Sequence, residues 1–306
     1  MAAAASTHLL RAAPSAVSAA RAAKLACCHA RSLSTAAADV GAWRPRRSVL
    51  YVPGSNTRAL AKAASLPCDS IILDLEDAVA PSAKSVARKQ VADTLQNVDF
   101  GDKEVVVRVN AVSTRWGWED VDAVAALGAA AIVLPVVESP DEVAQLEGIM
   151  RVCGAPPSTS IWAMIETPRG VLAAHDIAQH TRVSCLVAGT TDLAHELGAA
   201  HVPGRQPLLA SLSLIVLGAR AAQVAVLDGV HLDLGDDAGF EAACVQARDM
   251  GFDGKTLIHP KTIAVANQTF APSAAAVEEA REVLAAFEAA EREGKGVAVV
   301  RGRLAE

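Results

Sequence analysis

The sequence predicts an α/β fold, a (β/α)8 TIM barrel with a C-terminal helix and a short tail. Short apolar runs alternate with Ala-rich amphipathic stretches along most of the 306 residues, which is the pattern of strands alternating with helices. The runs are continuously apolar, as parallel strands covered on both faces are. The eight predicted strand–helix units fit the length at which such a barrel closes.

Each predicted strand is a short run rich in β-branched residues, followed by a polar or Gly/Pro turn. The predicted strands are 48–53, 70–76, 104–110, 130–137, 160–166, 183–189, 225–232 and 255–259. The predicted helices are 56–66, 82–96, 118–127, 139–151, 168–179, 207–223, 237–250 and 274–293. A doubly wound open sheet is the alternative, but it predicts a GxGxxG loop after the first strand, and the sequence has none there.

The N-terminal segment differs in composition from the rest of the chain. It has no acidic residue before Asp39 and combines many Ala and Ser residues with Arg11, Arg21, Lys24 and Arg31. This composition is typical of an organelle transit peptide, and a disordered tail is the alternative. We therefore expect a mitochondrial protein, with the plastid as second choice. The predicted organisation is 1–42 as transit peptide, 43–270 as barrel, and 271–306 as C-terminal helix and truncated tail.

The charge balance limits the classes of partner. The formal net charge is −6 at pH 7, whereas binding to nucleic acids or to a membrane surface favours a basic protein. No uncharged apolar run reaches the length of a transmembrane helix. We expect neither a nucleic-acid partner nor a membrane partner. The six cysteines include no C-x-x-C spacing, which argues against a zinc cluster.

Polar side chains follow the carboxyl ends of most predicted strands, where barrel enzymes place their active sites. Glu166 and Asp192 come at the ends of the fifth and sixth strands, which are neighbours in a barrel. Two converging carboxylates repel each other unless a cation joins them. Oxygen ligands favour Mg²⁺, so the pair predicts a magnesium site. The alternative is that Asp192 only caps the following helix.

Arg108 follows three valines inside a strongly apolar predicted strand, where a guanidinium needs an anionic partner. One interpretation is a structural ion pair with Glu76 or Asp77 from the neighbouring strand. The other is bidentate capture of a substrate carboxylate or thioester oxygen, and both can hold. Asp74 and Glu76 share one face of their strand, and we expect at least one acidic side chain to orient the guanidinium.

Basic residues follow the first predicted strand. Arg58 and Lys62 lie on one face of the next predicted helix, and a helix N-terminus favours phosphate. A solvated surface pair is the alternative. His259 precedes Pro260 and is open to several roles: a base, a hydrogen-bonding wall or a structural histidine.

Seven motifs together resemble the citrate lyase β-subunit-like family, the CoA-ester lyases of the HpcH/HpaI aldolase superfamily. The resemblance runs from about residue 46 to the end, in the family's order and spacing. The motifs are YVPGS (51–55), LDLEDAV (73–79), VRVN (107–110), LPVVESP (134–140), MIETPRG (164–170), GTTDLAHELG (189–198) and GFDGKTLIHP (251–260).

The resemblance implies a barrel assembled as a homotrimer or a dimer of trimers. It implies Mg²⁺ held by Glu166 and Asp192, with Arg108 on the carboxylate and oxyanion side of the substrate. Glu306 matches the acid that the family offers to a neighbouring subunit as general acid/base. The positions that match contacts to the CoA ester are Tyr51, Arg58, Lys62, Arg108, Ile258 and His259.

The implied activity is Mg²⁺-dependent, reversible Claisen cleavage of a 3-hydroxy-carboxyacyl-CoA. Citramalyl-CoA or malyl-CoA would give acetyl-CoA and pyruvate or glyoxylate. Val136 stands where the family usually has Lys, and members usually continue beyond the element that ends at Glu306. Two alternatives stay open: an aldolase acting on a free hydroxy-diacid, and a catalytically weak CoA-ester-binding subunit.

Overall fold

The computed structural model describes residues 44–292, 294–301 and 303–305. The described chain divides into two compact units, Arg44–Ala271 and the residues from Pro272 onward. The transit peptide predicted over residues 1–42 lies outside the described residues, as does Glu306.

The first unit is a closed barrel of eight parallel strands in sequential order. Neighbouring strands pair in parallel all the way round, and the eighth strand returns to pair with the first. The predicted (β/α)8 barrel is therefore confirmed. The strands are β1 Ser48–Pro53, β2 Ser70–Asp74, β3 Glu104–Arg108, β4 Ala131–Leu134, β5 Ser160–Ile165, β6 Val183–Ala188, β7 Ala225–Asp228 and β8 Gly254–Leu257.

The helices follow the strands, with short 3-10 turns at Pro81–Ala83, Ala125–Leu127, Pro203–Leu208 and Pro260–Thr262. Two helices, Thr190–Glu196 and Ile263–Phe270, were not predicted, because each spans only about two turns. The helices of this unit are α1 Thr57–Ala63, α2 Lys84–Asn97, α3 Gly117–Val124, α4 Pro140–Val152, α5 Pro168–Ala178, α6 Thr190–Glu196, α7 Leu209–Ala222, α8 Asp237–Met250 and α9 Ile263–Phe270.

Two apolar cores flank the strands, because successive side chains point to opposite faces of each strand. The larger core lies between the strands and the helices, and a smaller one, which includes Trp162 and Val187, fills the barrel. Val49, Ile72, Val106 and Met164 belong to the inner core. The side chains that build the candidate site each lie two residues after one of these and therefore point to the same side of the barrel wall. They are Tyr51, Asp74, Arg108 and Glu166.

The second unit contains helix α10, Ala274–Arg292, and an antiparallel pair of short strands, β9 Ala298–Val300 and β10 Arg303–Ala305. Arg301 at the turn between these strands pairs with Glu282 of the helix at 2.7 Å. The helix was predicted, but three-residue strands are too short to produce a recognisable pattern. Across the described residues, no helix combines the length and the apolar character that crossing a membrane requires.

Candidate active site

Arg108 is bound first of all by Asp74, which lies directly opposite it in the register of β2 and β3. Arg108 Nε donates to Asp74 Oδ1 and Nη2 donates to Oδ2, both at 2.7 Å. Both side chains are buried, and a buried bidentate pair of this kind is strong and directional. The ion pair was predicted with Glu76 or Asp77, and Asp74 was only one of the acidic side chains expected to orient the guanidinium, so its place as the principal partner is a finding of the structure.

Asp74 also shapes the turn that follows β2. Its Oδ1 accepts from the backbone N–H of Glu76 at 2.9 Å, and its Oδ2 accepts from that of Ala78 at 3.2 Å. An aspartate that bonds the backbone just after itself is a common turn former. One carboxylate therefore fixes both the guanidinium and the turn.

Glu76 and Asp77 share the remaining side of the guanidinium, as predicted. Arg108 Nη1 lies 2.7 Å from Glu76 Oε2 and 3.2 Å from Asp77 Oδ2. Burial is the main cause that raises the pKa of Glu76 to about 8, against the opposing charge of Arg108. The side chain of Glu76 is 19% exposed and that of Asp77 68% exposed, so the two carboxylates are held very differently.

Lys84 holds the turn that follows β2 through hydrogen bonds to its carbonyl groups. The sequence did not identify this residue. The Lys84 ammonium is buried and donates to the carbonyls of Leu75 and Glu76 and to Asn110 Oδ1, at 2.7–2.8 Å. Asn110 Nδ2 donates in turn to the carboxylate of Asp120. Burial lowers the pKa of Lys84, and nearby carboxylates oppose that shift. All three ammonium hydrogens have acceptors, which fixes the main chain beneath Glu76.

Tyr51 lies beside Arg108 inside the barrel. The guanidinium carbon of Arg108 is 4.8 Å from the centre of the tyrosine ring, within the range of a cation–π contact. The Tyr51 hydroxyl is buried and has no hydrogen-bond partner among the described residues. Burial raises the pKa of Tyr51 well above its usual range, so the phenol is neutral and available as a donor.

Glu166 directly follows β5 and is only 3% exposed. Its Oε1 accepts from the backbone N–H of Val136 at 2.7 Å. Burial is the main cause that raises its pKa to about 7, and the charge of Asp192 adds to this effect. Val136 has φ +52°, a left-handed conformation that is costly for a β-branched residue.

Gly189, at the end of β6, makes room for Glu166. A Cβ built on Gly189 would overlap the side chain of Glu166. The backbone therefore approaches the carboxylate more closely than any residue with a side chain would allow.

Asp192 lies in the first turn of α6, is exposed, and is close enough to act on the pKa of Glu166. The two predicted metal ligands thus follow the carboxyl ends of neighbouring strands, β5 and β6. No group of three or more His, Cys, Asp or Glu side chains suited to a metal occurs in the described part of the chain. A two-carboxylate site that leaves several positions to water and substrate suits Mg²⁺. The raised pKa of Glu166 is also what a nearby cation would relieve.

The other residues predicted to contact CoA lie outside this cluster. Arg58 and Lys62 are exposed on α1, and Ile258 and His259 are exposed just after β8. His259 Nδ1 accepts from the backbone N–H of Lys261 at 3.1 Å, so this histidine caps the following turn. Because β1 and β8 are neighbours, all four residues follow adjacent strand ends, but none of them contacts Arg108 or Glu166 through a described hydrogen bond.

Comparison with known proteins identifies the family. The family described as HpcH/HpaI aldolase/citrate lyase matches residues 47–260. The chain belongs to this family. The resemblance proposed from the seven motifs is therefore confirmed, and with it the prediction of an enzyme of the class that processes CoA esters.

Two curated relatives align with this chain over most of the length of both proteins. A (3S)-malyl-CoA thioesterase of Cereibacter sphaeroides is 48% identical over 262 residues, which cover 86% of this chain and 90% of the relative. The citrate lyase subunit beta of Escherichia coli K12 is 36% identical over 269 residues, 86% of this chain and 89% of the relative.

Two solved structures from Mycobacterium tuberculosis are similar in fold, each at 32% identity. One is the protein CitE in complex with magnesium, acetoacetate and coenzyme A, with a TM-score of 0.68, covering 85% of this chain and 91% of that one. The other is a citrate lyase beta subunit complexed with oxaloacetate and magnesium, with a TM-score of 0.65, covering 74% and 98%.

Proposed function

We propose that this protein is a Mg²⁺-dependent lyase that cleaves citramalyl-CoA or malyl-CoA to acetyl-CoA and pyruvate or glyoxylate. The observation that carries the proposal is the position of Arg108, held rigidly by Asp74 at the barrel mouth that also holds Glu166 and Asp192. The magnesium and coenzyme A in the CitE structure support it.

Glu166 and Asp192 are the residues that would hold the metal. Bound there, Mg²⁺ would act as a Lewis acid on the substrate oxygens. Glu166 keeps its Oε1 on the N–H of Val136, which leaves Oε2 as the oxygen to offer to a cation. The hydrogen bond also fixes the direction of the carboxylate.

Arg108 would bind the thioester side of the substrate. Asp74 takes one hydrogen of Nη2, and the second Nη2 hydrogen has no acceptor among the described residues. A preorganised donor of this kind stabilises an oxygen that gains negative charge in the transition state. The neutral phenol of Tyr51 beside it is a second donor at the same place.

In the proposed cleavage, a general base accepts the proton of the substrate hydroxyl, the bond between the hydroxyl-bearing carbon and the acetyl carbon breaks, and the C–O group becomes the carbonyl of the 2-oxo acid. The electron pair passes to the acetyl unit as the enolate of acetyl-CoA, and a proton then adds to the acetyl carbon. Glu306 of an adjacent subunit is the proposed donor of that proton, within the predicted homotrimer or dimer of trimers. Arg58, Lys62, Ile258 and His259 are proposed to contact CoA.

A second candidate function is hydrolysis of the thioester of malyl-CoA. The 48% identity to the (3S)-malyl-CoA thioesterase favours it. In that reaction water attacks the thioester carbonyl, and the products are malate and free CoA. The same barrel mouth would serve, with Arg108 facing the carbonyl oxygen.

The deciding experiment separates the products. Purified protein is incubated with Mg²⁺ and each thioester while release of 2-oxo acid and of free thiol is followed in parallel. Cleavage releases 2-oxo acid with no thiol, whereas hydrolysis releases thiol with no 2-oxo acid. A citramalate or malate control without CoA tests the alternative of an aldolase on free acids. No turnover of either thioester at substrate saturation would leave only a CoA-ester-binding subunit.

A further inference from the structure

Three carboxylates share Arg108, and they are held to very different degrees. Asp74 is 1% exposed and makes two hydrogen bonds to the guanidinium and two to the backbone of the following turn. Glu76 is mostly buried and lies 2.7 Å from Nη1. Asp77 is 68% exposed and makes one longer contact of 3.2 Å to the same nitrogen.

The backbone around Asp77 is fixed while its side chain is not. Asp77 and Ala78 form the tip of a turn closed by a 3.0 Å hydrogen bond from the N–H of Val79 to the carbonyl of Glu76. Lys84 Nζ holds that same carbonyl at 2.7 Å. No second hydrogen bond restrains the Asp77 carboxylate in the described structure. Rotation of one exposed side chain therefore frees part of Nη1 without moving the main chain.

The energies of these contacts rank the partners of Arg108. Breaking a buried ion pair by removing one partner costs about 3–5 kcal/mol, which applies to Asp74. An exposed ion pair contributes only about 0–1 kcal/mol, which applies to Asp77. An incoming anionic oxygen therefore displaces Asp77 and leaves Asp74 in place.

We propose that Asp77 is a displaceable placeholder: in the ligand-free protein its carboxylate occupies the position on Arg108 Nη1 that an anionic oxygen of the substrate takes. The inference rests on the proposed function: it assigns to Nη1 an oxygen of the substrate carboxylate that the 2-oxo acid product retains, while Nη2 faces the thioester. Asp77 then sets how tightly an anion must bind to enter, and it keeps the guanidinium paired when the site is empty.

The test is the affinity for pyruvate, the product expected from citramalyl-CoA, in saturating Mg²⁺ by isothermal titration calorimetry. The variant is Asp77→Asn, which nearly keeps the shape and removes the charge. We expect the Kd of pyruvate to fall about two- to five-fold, the equivalent of the energy of an exposed ion pair. A side chain that only supported the fold would not give a gain in affinity when altered.

Glu138→Gln is the matched control. Glu138 follows β4 at the same end of the barrel, is partly exposed, and lies 3.7 Å from Arg169 rather than near Arg108. The Glu138→Gln substitution therefore removes one negative charge without freeing Arg108. The Kd of pyruvate for this variant should match that of the wild type. An equal fall in the Kd of pyruvate in both variants would show a general effect of charge and would overturn the proposal.

Unchanged or weaker binding in Asp77→Asn also overturns it. A repeat in an Arg108→Met background checks the pairing, since the effect of Asp77→Asn should vanish there. Release of pyruvate from citramalyl-CoA is measured separately on the wild type. If pyruvate is released but Asp77→Asn does not lower the Kd of pyruvate, only the placeholder is refuted. If Asp77→Asn lowers the Kd but no pyruvate is released, only the proposed reaction is refuted.

Discussion

The backbone N–H of Val136 donates to Glu166 Oε1 across 2.7 Å from a left-handed backbone with φ +52°. The left-handed conformation costs a non-glycine residue about 1–2 kcal/mol. Strain that persists beside a buried carboxylate, at the site assigned to a metal, indicates that the hydrogen bond is maintained for the site. Val136 thus aligns Glu166 through its backbone.

Replacing Val136 by Gly should relieve that strain. Val136 is 42% exposed, so the substitution loses little apolar burial. The greater freedom of glycine in the unfolded chain cancels about 0.5–1 kcal/mol of the strain energy that is relieved. We expect the free energy of unfolding to rise by up to about 1 kcal/mol in thermal unfolding, with Mg²⁺ binding retained. Val152→Gly, at an exposed position in α4, is the control and should lose stability. A large loss in Val136→Gly would contradict this account.

Asp74→Asn should be the most damaging single substitution around Arg108. It leaves a buried guanidinium without its bidentate partner, which costs about 3–5 kcal/mol. Urea unfolding measures this loss, and Asp77→Asn, at the exposed pair, should cost less than about 1 kcal/mol. Similar losses for the two variants would show that the guanidinium does not depend on Asp74.

Asp192→Asn should abolish Mg²⁺-dependent turnover while the barrel still folds. Asp192 is exposed in the first turn of α6, so its replacement leaves no buried group unpaired. The circular dichroism spectrum and the thermal midpoint of Asp192→Asn should match those of the wild type. The control Glu196→Gln, on the same helix, should match the wild type in these properties and in turnover. Full turnover of the wild type after removal of divalent metal would refute the metal site.

Affinity for Mg²⁺ should rise with pH. Burial raises the pKa of Glu166 to about 7, and a carboxylate must lose its proton to bind a cation. Between pH 6 and pH 8 the Kd for Mg²⁺ should fall about tenfold, measured by calorimetry. The stability of the metal-free protein should change in the opposite direction. Because the pKa of Glu166 is higher in the folded state than in the unfolded state, the free energy of unfolding decreases as pH rises from 4.5 to 7. Equal Kd values at both pH values would contradict the assignment of Glu166 as a ligand.

Removing charge at Arg58 or Lys62 should weaken binding of the CoA ester. Both side chains are exposed on α1, so Arg58→Ala and Lys62→Ala should raise the KM of the thioester about two- to five-fold each, with less effect at high salt. Lys89→Ala, an exposed change on α2, is the control. Unchanged KM values in both variants would place CoA elsewhere.

The order of strands and helices was predictable because each strand is a continuous apolar run and each long helix a periodic one. The positions of Glu166 and Asp192 at neighbouring strand ends followed from that order. The pairing of Arg108 with Asp74 did not, since the predicted ranges 70–76 and 104–110 leave the register between the strands open. One residue of register decides which carboxylate faces the guanidinium.

Two features of the site carry no local signal in the sequence. The left-handed backbone at Val136 is set by its surroundings, because valine itself disfavours that conformation. Lys84 lies eight residues beyond Glu76 and reaches its carbonyl only because α2 packs under the turn after β2. Such contacts depend on tertiary packing and become visible only in three dimensions.

The space that Gly189 leaves for Glu166 limits which residues position 189 can hold. Even the methyl group of alanine would overlap both Oε2 and Cβ of Glu166, and a Cβ cannot rotate away as the end of a flexible side chain can. Any side chain at position 189 therefore requires the main chain at the end of β5 or of β6 to move. Glycine at this position is a steric requirement of the Glu166 carboxylate and not of the turn in which it lies.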